Sequence, residues 1–172
     1  MINESIAKIA AGYVSQKEKP GNSGFYDEEF EQKMIAVGWR KHYAWCAFFV
    51  ELVWREAYGK VNSVIECDLR ELFSPSAVDT FYNFKRNDTY GKYVSKKPVV
   101  GSLICWRYGD GWQGHIGIVE KIEGKELITI EGNTNSQGGR EGIEVARKRR
   151  LLNFDFANNK LNLLGFINPI EP

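Results

Sequence analysis

The stretch Ala44-Trp-Cys-Ala-Phe-Phe-Val-Glu-Leu-Val-Trp-Arg-Glu-Ala-Tyr58 is apolar on almost every side of a helix, and few folds can accommodate that. Only Glu51, Arg55 and Glu56 carry charge, and Glu51 and Arg55 stand four apart, so the polar stripe is narrow. A helix of this kind has to be enclosed by protein, and the rest of the chain must supply the enclosing layers. The pattern predicts a helix from about Ala44 to Tyr58, stopped by Gly59.

The covering layers are legible on both sides of it. Ile2, Ile6, Ile9, Ala10 and Tyr13 recur at helical intervals between Met1 and Val14, which predicts an amphipathic opening helix rather than a signal peptide. A polar break from Lys17 to Gly24 follows. Asp27 can then cap a second helix whose face is Phe30, Met34 and Val37. Ser74-Pro75 predicts the start of a further helix, with Val78, Phe81 and Tyr82 as its apolar face. From Pro98 the period changes to two. Strands are expected at Ser102–Arg107, His115–Ile122, Leu127–Glu131, Ile143–Arg147 and Leu161–Ile167, with loops at Gly132–Gly142 and around Asn158-Asn159. Helices first and an antiparallel sheet afterwards make an α+β fold. A length of 172 residues suits one domain, residues 1–172, with a helical part over 1–95 and a sheet part over 98–168.

Charge and cysteine usage remove several classes of function. A net charge of +1 gives no field for recruiting nucleic acid, and the run Arg147-Lys148-Arg149-Arg150 reads as a solvated strand edge or turn. No apolar run reaches the roughly 20 residues of a membrane helix, so no membrane insertion is expected. Cys46, Cys67 and Cys105 are odd in number, and no pair has metal-ligand or CxxC spacing. Neither a metal nor another cofactor is expected, nor a disulfide framework, and a monomer is the expected state.

Three cysteines differ sharply in setting. Cys46 falls in the first turn of the buried helix, where unpaired backbone N–H groups and the dipole stabilise a thiolate and can hold an oxyanion. Cys105 sits within a strand and reads as core. Cys67, between Glu66 and Asp68, is a poor nucleophile. Of the two histidines, His42 precedes the buried helix and His115 opens a strand.

Parity gives His115 its partners. Ile116, Ile118, Ile122, Ile128 and Ile130 all occupy even positions and define a core face, because strand side chains alternate. Both strands present even residues to one side only if the connection holds an odd number of residues, and a three-residue turn around Gly124 meets that condition. His115, Glu131 and Asn133 then share the opposite face. A base oriented by a polar group is what an activated nucleophile requires, and either Glu131 or Asn133 could fix the imidazole. Trp45, Trp106, Tyr108 and Trp112 are candidates for the walls of a substrate groove.

At these residues the sequence resembles the CHAP family, cysteine- and histidine-dependent amidohydrolases and peptidases that cut peptidoglycan. The resemblance runs through Tyr43-Ala-Trp-Cys-Ala-Phe-Phe-Val, Pro98-Val-Val-Gly-Ser-Leu-Ile, Gly114-His-Ile-Gly-Ile-Val and Thr129-Ile-Glu-Gly-Asn-Thr, in order, from about Gly24 to Ile167. It implies a papain-like fold, Cys46 as nucleophile, His115 as base, Glu131 as orienting residue, and Asn133 as an orienting or oxyanion-supporting residue. The implied partner is peptidoglycan, cut as an amidase or an endopeptidase would cut it. Gly21-Asn-Ser-Gly-Phe and Val37-Gly-Trp also look like phage and prophage members, and an endolysin-like role is implied. Gly101-Ser102 departs from the Gly-Asp that the family often carries, a change read as structural, and the acidic calcium loop of some members has no counterpart before the cysteine. With no signal peptide read in the chain, synthesis in a bacterial cytoplasm is expected. Reaching the wall through a lysis pore, on a phage particle or by injection remains open. Two other classes stay open beside this reading: a non-catalytic wall-binding or virion module, and a cysteine hydrolase or transferase acting on proteins.

Overall fold

The nearly all-apolar stretch forms helix α3, Cys46–Gly59, and it is buried along most of its length. The structure is a computed structural model that describes residues 1–88, 93–134 and 142–172. Among the described residues four other α-helices surround or flank α3: α1 (Ile2–Gly12), α2 (Glu28–Ala36), α4 (Ser63–Arg70) and α5 (Ala77–Arg86). The described residues then form six strands: β1 (Val94–Ser95), β2 (Leu103–Tyr108), β3 (Gly114–Glu123), β4 (Glu126–Thr134), β5 (Glu144–Leu151) and β6 (Leu161–Ile167). They form one antiparallel sheet in the order β1-β6-β2-β3-β4-β5, so the fold is α+β and agrees with a papain-like domain. Among the described residues no helix is long and apolar enough to cross a membrane.

Local chemistry accounts for most boundaries. Asp27 accepts from the Phe30 N–H at 3.0 Å, the predicted cap of α2. α5 starts two residues later than Ser74-Pro75 suggests, because Ser76 caps it through the Asp79 N–H while Ser74 accepts from the Ser76 N–H. α4 was not expected from periodicity. It is short and mostly exposed, and Asn62 starts it by accepting from the Val64 and Ile65 N–H groups. The loop expected over Gly132–Gly142 is strand through Thr134, and 135–141 lie outside the described residues.

The sheet divides two apolar clusters. On the helical side Ile116, Ile118 and Ile130 join α3, α1 and the ring cluster of Phe25, Phe30, Trp39 and Trp45 in the main core. On the far side Ile104, Trp106, Val119, Leu127, Leu163 and Phe166 form a smaller one. Gly132 fixes how closely α3 approaches the sheet. A Cβ there would stand 2.6 Å from the Trp45 ring and 2.8 Å from the Phe49 Cβ, so only a glycine lets β4 cross the first turn of α3 at this distance.

The hairpin of β3 and β4 meets the parity condition by another route. Its connection has two residues, Gly124 and Lys125, not three, and the odd residue is a bulge where pairing steps from Val119↔Thr129 to Lys121↔Ile128. From His115 to Val119 the expected face therefore holds. Beyond the bulge it does not on β3: Ile122, expected in the core, pairs instead with Leu127 of the far cluster and is 39% exposed.

Candidate active site

Cys46 is the first residue of α3, and what precedes it holds it there. The N-cap Trp45 offers no side-chain cap, and the first helical bond is Phe49 N–H to the Trp45 carbonyl at 2.9 Å. The first-turn N–H groups at Cys46, Ala47 and Phe48 thus precede the repeating ladder, where a helix attracts negative charge. The Trp45 Nε1–H donates to the buried Glu18 carboxylate, and Trp39 Nε1–H donates to the Tyr43 carbonyl at 3.0 Å. Both indoles pin the loop that leads into the helix. Trp45 is fully buried, which corrects its expected place on a groove wall.

His115, second residue of β3, meets Cys46 on one side and Glu131 on the other. Its Nε2 is 2.8 Å from Glu131 Oε2, and the Cys46 side chain is near enough to favour the charged imidazole. An ionised carboxylate can only accept, so Nε2 carries the proton and Nδ1 is left for the thiol. Trp106 pairs with His115 across β2 and β3, and their rings stack with centroids 5.8 Å apart and 23° between planes. Trp106 is 6% exposed, so it acts as a buried backing for the imidazole more than as an open wall.

Glu131 is entirely buried, and its carboxylate is saturated with donors. Thr129 Oγ1 donates to Oε1 at 2.6 Å, Arg150 Nε to Oε1 at 2.7 Å and Arg150 Nη2 to Oε2 at 2.5 Å, besides His115. Burial alone would raise its pKa, but the hydrogen bonds from Arg150 and His115 and their positive charges hold it well below the ordinary carboxylate range. Burial likewise opposes a charged His115, yet bonding to Cys46 and Glu131 outweighs it and lifts the imidazole to about 10. Gly117 makes room for this arrangement, since a Cβ there would sit 2.6 Å from Glu131 Cγ.

The structure separates the two proposed partners of His115. Asn133 has φ +53 at a break in β4–β5 pairing between Glu131 and Thr134, so strand alternation does not carry through to it. Among the described residues its buried Oδ1 has no hydrogen-bond partner, and the side chain that reaches the His115 ring is that of Glu131. His42 Nδ1 lies 2.9 Å from the Gly21 carbonyl, on the loop before α2. Tyr108 and Trp112, 44% and 81% exposed, flank the β2–β3 turn that delivers His115, and Arg107 ties that turn by donating to the Gly111 and Asp110 carbonyls.

All three cysteines are free. Cys105 is fully buried, and burial with the neighbouring Cys46 raises its thiol well above the usual value. Ser102 accepts from the Val99 N–H and donates to Asn168 Oδ1 at 2.7 Å, tying β2 to the end of β6. Among the described residues no group of His, Cys, Asp and Glu could hold a metal ion.

Arg150 was missed because the basic run extends β5 beyond the expected end at Arg147. Within a strand half of such a run must turn inward. Arg147 and Arg149 face outward to Glu120, Glu123 and Glu126, while Arg150 reaches the buried carboxylate.

A family model for the CHAP domain matches residues 38–133, more than half of the 172 and including Cys46, His115, Glu131 and Asn133. No curated protein and no solved structure matches the chain.

Proposed function

The chain belongs to the CHAP family, whose members are generally cysteine- and histidine-dependent amidohydrolases of the peptidoglycan amidase and peptidase type, and from that premise we propose that it hydrolyses an amide bond in the peptide part of the bacterial cell wall. The observation that carries the chemistry is the His115–Glu131 hydrogen bond placed beside Cys46 at the start of a buried helix. The substrate is carried by the family alone.

In this reading the Cys46 sulfur, its proton held by His115, attacks the amide carbonyl carbon. The oxyanion that forms is stabilised by first-turn N–H groups of α3. The tetrahedral species collapses as the His115 imidazolium gives its Nδ1 proton to the leaving amine, which leaves a thioester on Cys46 and a neutral imidazole. That imidazole takes a proton from water, the hydroxide adds to the thioester, and Cys46 departs as thiolate beside a newly formed carboxyl group. Glu131 holds the ring in the required tautomer throughout. Tyr108 and Trp112, open on the His115 hairpin, are the aromatic surfaces proposed to contact the substrate.

The test is clearing of a suspension of purified walls. The native chain should clear it, and Cys46→Ala should not while keeping its circular dichroism spectrum. Equal clearing by the variant would overturn the proposal.

A further inference from the structure

Glu131 is gripped from two sides, and only one of them is the imidazole. From β5, Arg150 closes a two-pronged ion pair on both carboxylate oxygens, and its guanidinium carbon lies 5.0 Å from the centre of the Trp106 ring on which His115 also stacks. We propose that Arg150 is a positioning residue of the catalytic site, which acts through Glu131 to fix the charge balance around His115 and Cys46. The proposal rests on the reading of Cys46 and His115 as the reacting pair. It extends that reading outside the stretch matched by the family, which ends at residue 133.

Each packed element contributes to that balance. α3 brings Cys46, β3 His115, β4 Glu131 with the neutral Thr129 hydroxyl, and β5 Arg150. β2 adds the uncharged Trp106 and Cys105, which burial keeps a neutral thiol. Behind Arg150 lies a cavity of about 270 Å³ bordered by Trp106, Asp155 and Lys160. With thiolate, imidazolium, carboxylate and guanidinium together the group is neutral. Without the guanidinium a fully buried carboxylate would leave one negative charge in excess beside the reacting atoms. A guanidinium suits the task, since it stays charged, its planar fork fits both carboxylate oxygens, and it packs flat on an indole. A lysine would keep the charge and lose the fork.

The test reads Cys46 directly and needs no wall substrate. Iodoacetamide alkylation of Cys46 is followed from pH 4 to 11 by mass spectrometry of its peptide, in the native chain, Arg150→Met and Arg150→Lys. Removing a nearby positive charge raises every neighbouring proton affinity, so Arg150→Met should move both limbs of the profile up by about one pH unit or more. Arg150→Lys should bring them back to within about half a unit, while wall digestion stays several-fold slower because the fork is gone. Coincident limbs in the Met variant and the native chain would overturn the proposal, as would Lys limbs displaced as far as Met. Should Arg150→Met not fold, Glu131→Gln and the Glu131→Gln/Arg150→Met pair decide. Glu131→Gln should lower the limbs and the pair should raise them again, whereas identical limbs in the two would overturn it. A native profile that follows an ordinary exposed thiol would instead remove the catalytic reading on which the proposal stands.

Discussion

His115 Nε2 lies 2.8 Å from Oε2 of Glu131, a carboxylate with no exposed surface. The bond fixes which imidazole nitrogen carries the proton toward the sheet and which meets Cys46. Glu131→Gln retains the shape but loses the charge that holds the imidazolium and leaves Arg150 buried without its partner. We expect kcat/KM on wall fragments to fall by roughly 10²-fold or more, with a stability loss of about 3 kcal/mol in urea unfolding. A variant within threefold of the native rate would mean that Glu131 does not orient the base.

The pH profile follows from the same residue. The His115 imidazole is lifted from its ordinary 6.5 to about 10, because its bonds to Cys46 and Glu131 outweigh burial. Leaving-group protonation is then available at neutral and mildly alkaline pH, and kcat/KM should fall as pH rises through about 10. The linked stability has the same sign. A raised basic pKa contributes fully below about 6.5 and is lost as pH rises through the folded value. An alkaline limb near 7 in steady-state kinetics would contradict this account.

Gly117 is the cheapest place to disturb the orienting bond without touching it. An added Cβ would meet Glu131 Cγ at 2.6 Å, and the Ile130 carbonyl at 3.3 Å. Gly117→Ala should cost about 1–3 kcal/mol, and digestion should slow by more than the unfolded fraction explains. Full activity with native stability would mean that the Glu131 side chain has freedom this geometry denies it.

How much of this was legible follows from how each signal arises. The buried helix from Cys46 was plain, because nothing but enclosure tolerates so narrow a polar stripe. His115 and Glu131 were placed on one face correctly, although the odd residue lies in the bulge after Val119 instead of in the turn. Alternation counts residues, and it cannot say where an extra one is inserted. At Asn133 it meets a related obstacle, since a left-handed residue and a register shift inside β4 interrupt the alternation that the count assumes continues. Arg150 was hidden because four consecutive cations look alike in a sequence, and only the pairing of β4 with β5 tells outward from inward.

Glu51 offers a test remote from the chemistry. It lies buried on α3 with Arg55 at 3.4 Å, and burial raises its carboxyl from 4.5 to about 7 against the pull of Arg55. A raised acid contributes stability below about 4.5 that is lost as pH rises through about 7. The melting temperature of the native chain should therefore drop between pH 5 and 8 more steeply than that of Glu51→Gln. We expect the variant to gain about 1–2 kcal/mol relative to native at pH 8. Parallel melting curves across that range would show that Glu51 is already ionised in the fold.

The central claim is that the Cys46 sulfur opens an amide bond of the wall peptide, and mass spectrometry of purified walls after digestion tests it most directly. The native chain should release fragments that carry a new amine end and a matching new carboxyl end at one type of bond, and folded Cys46→Ala should release none. Fragments of the same kind from Cys46→Ala, or intact walls after treatment with folded native protein, would contradict it.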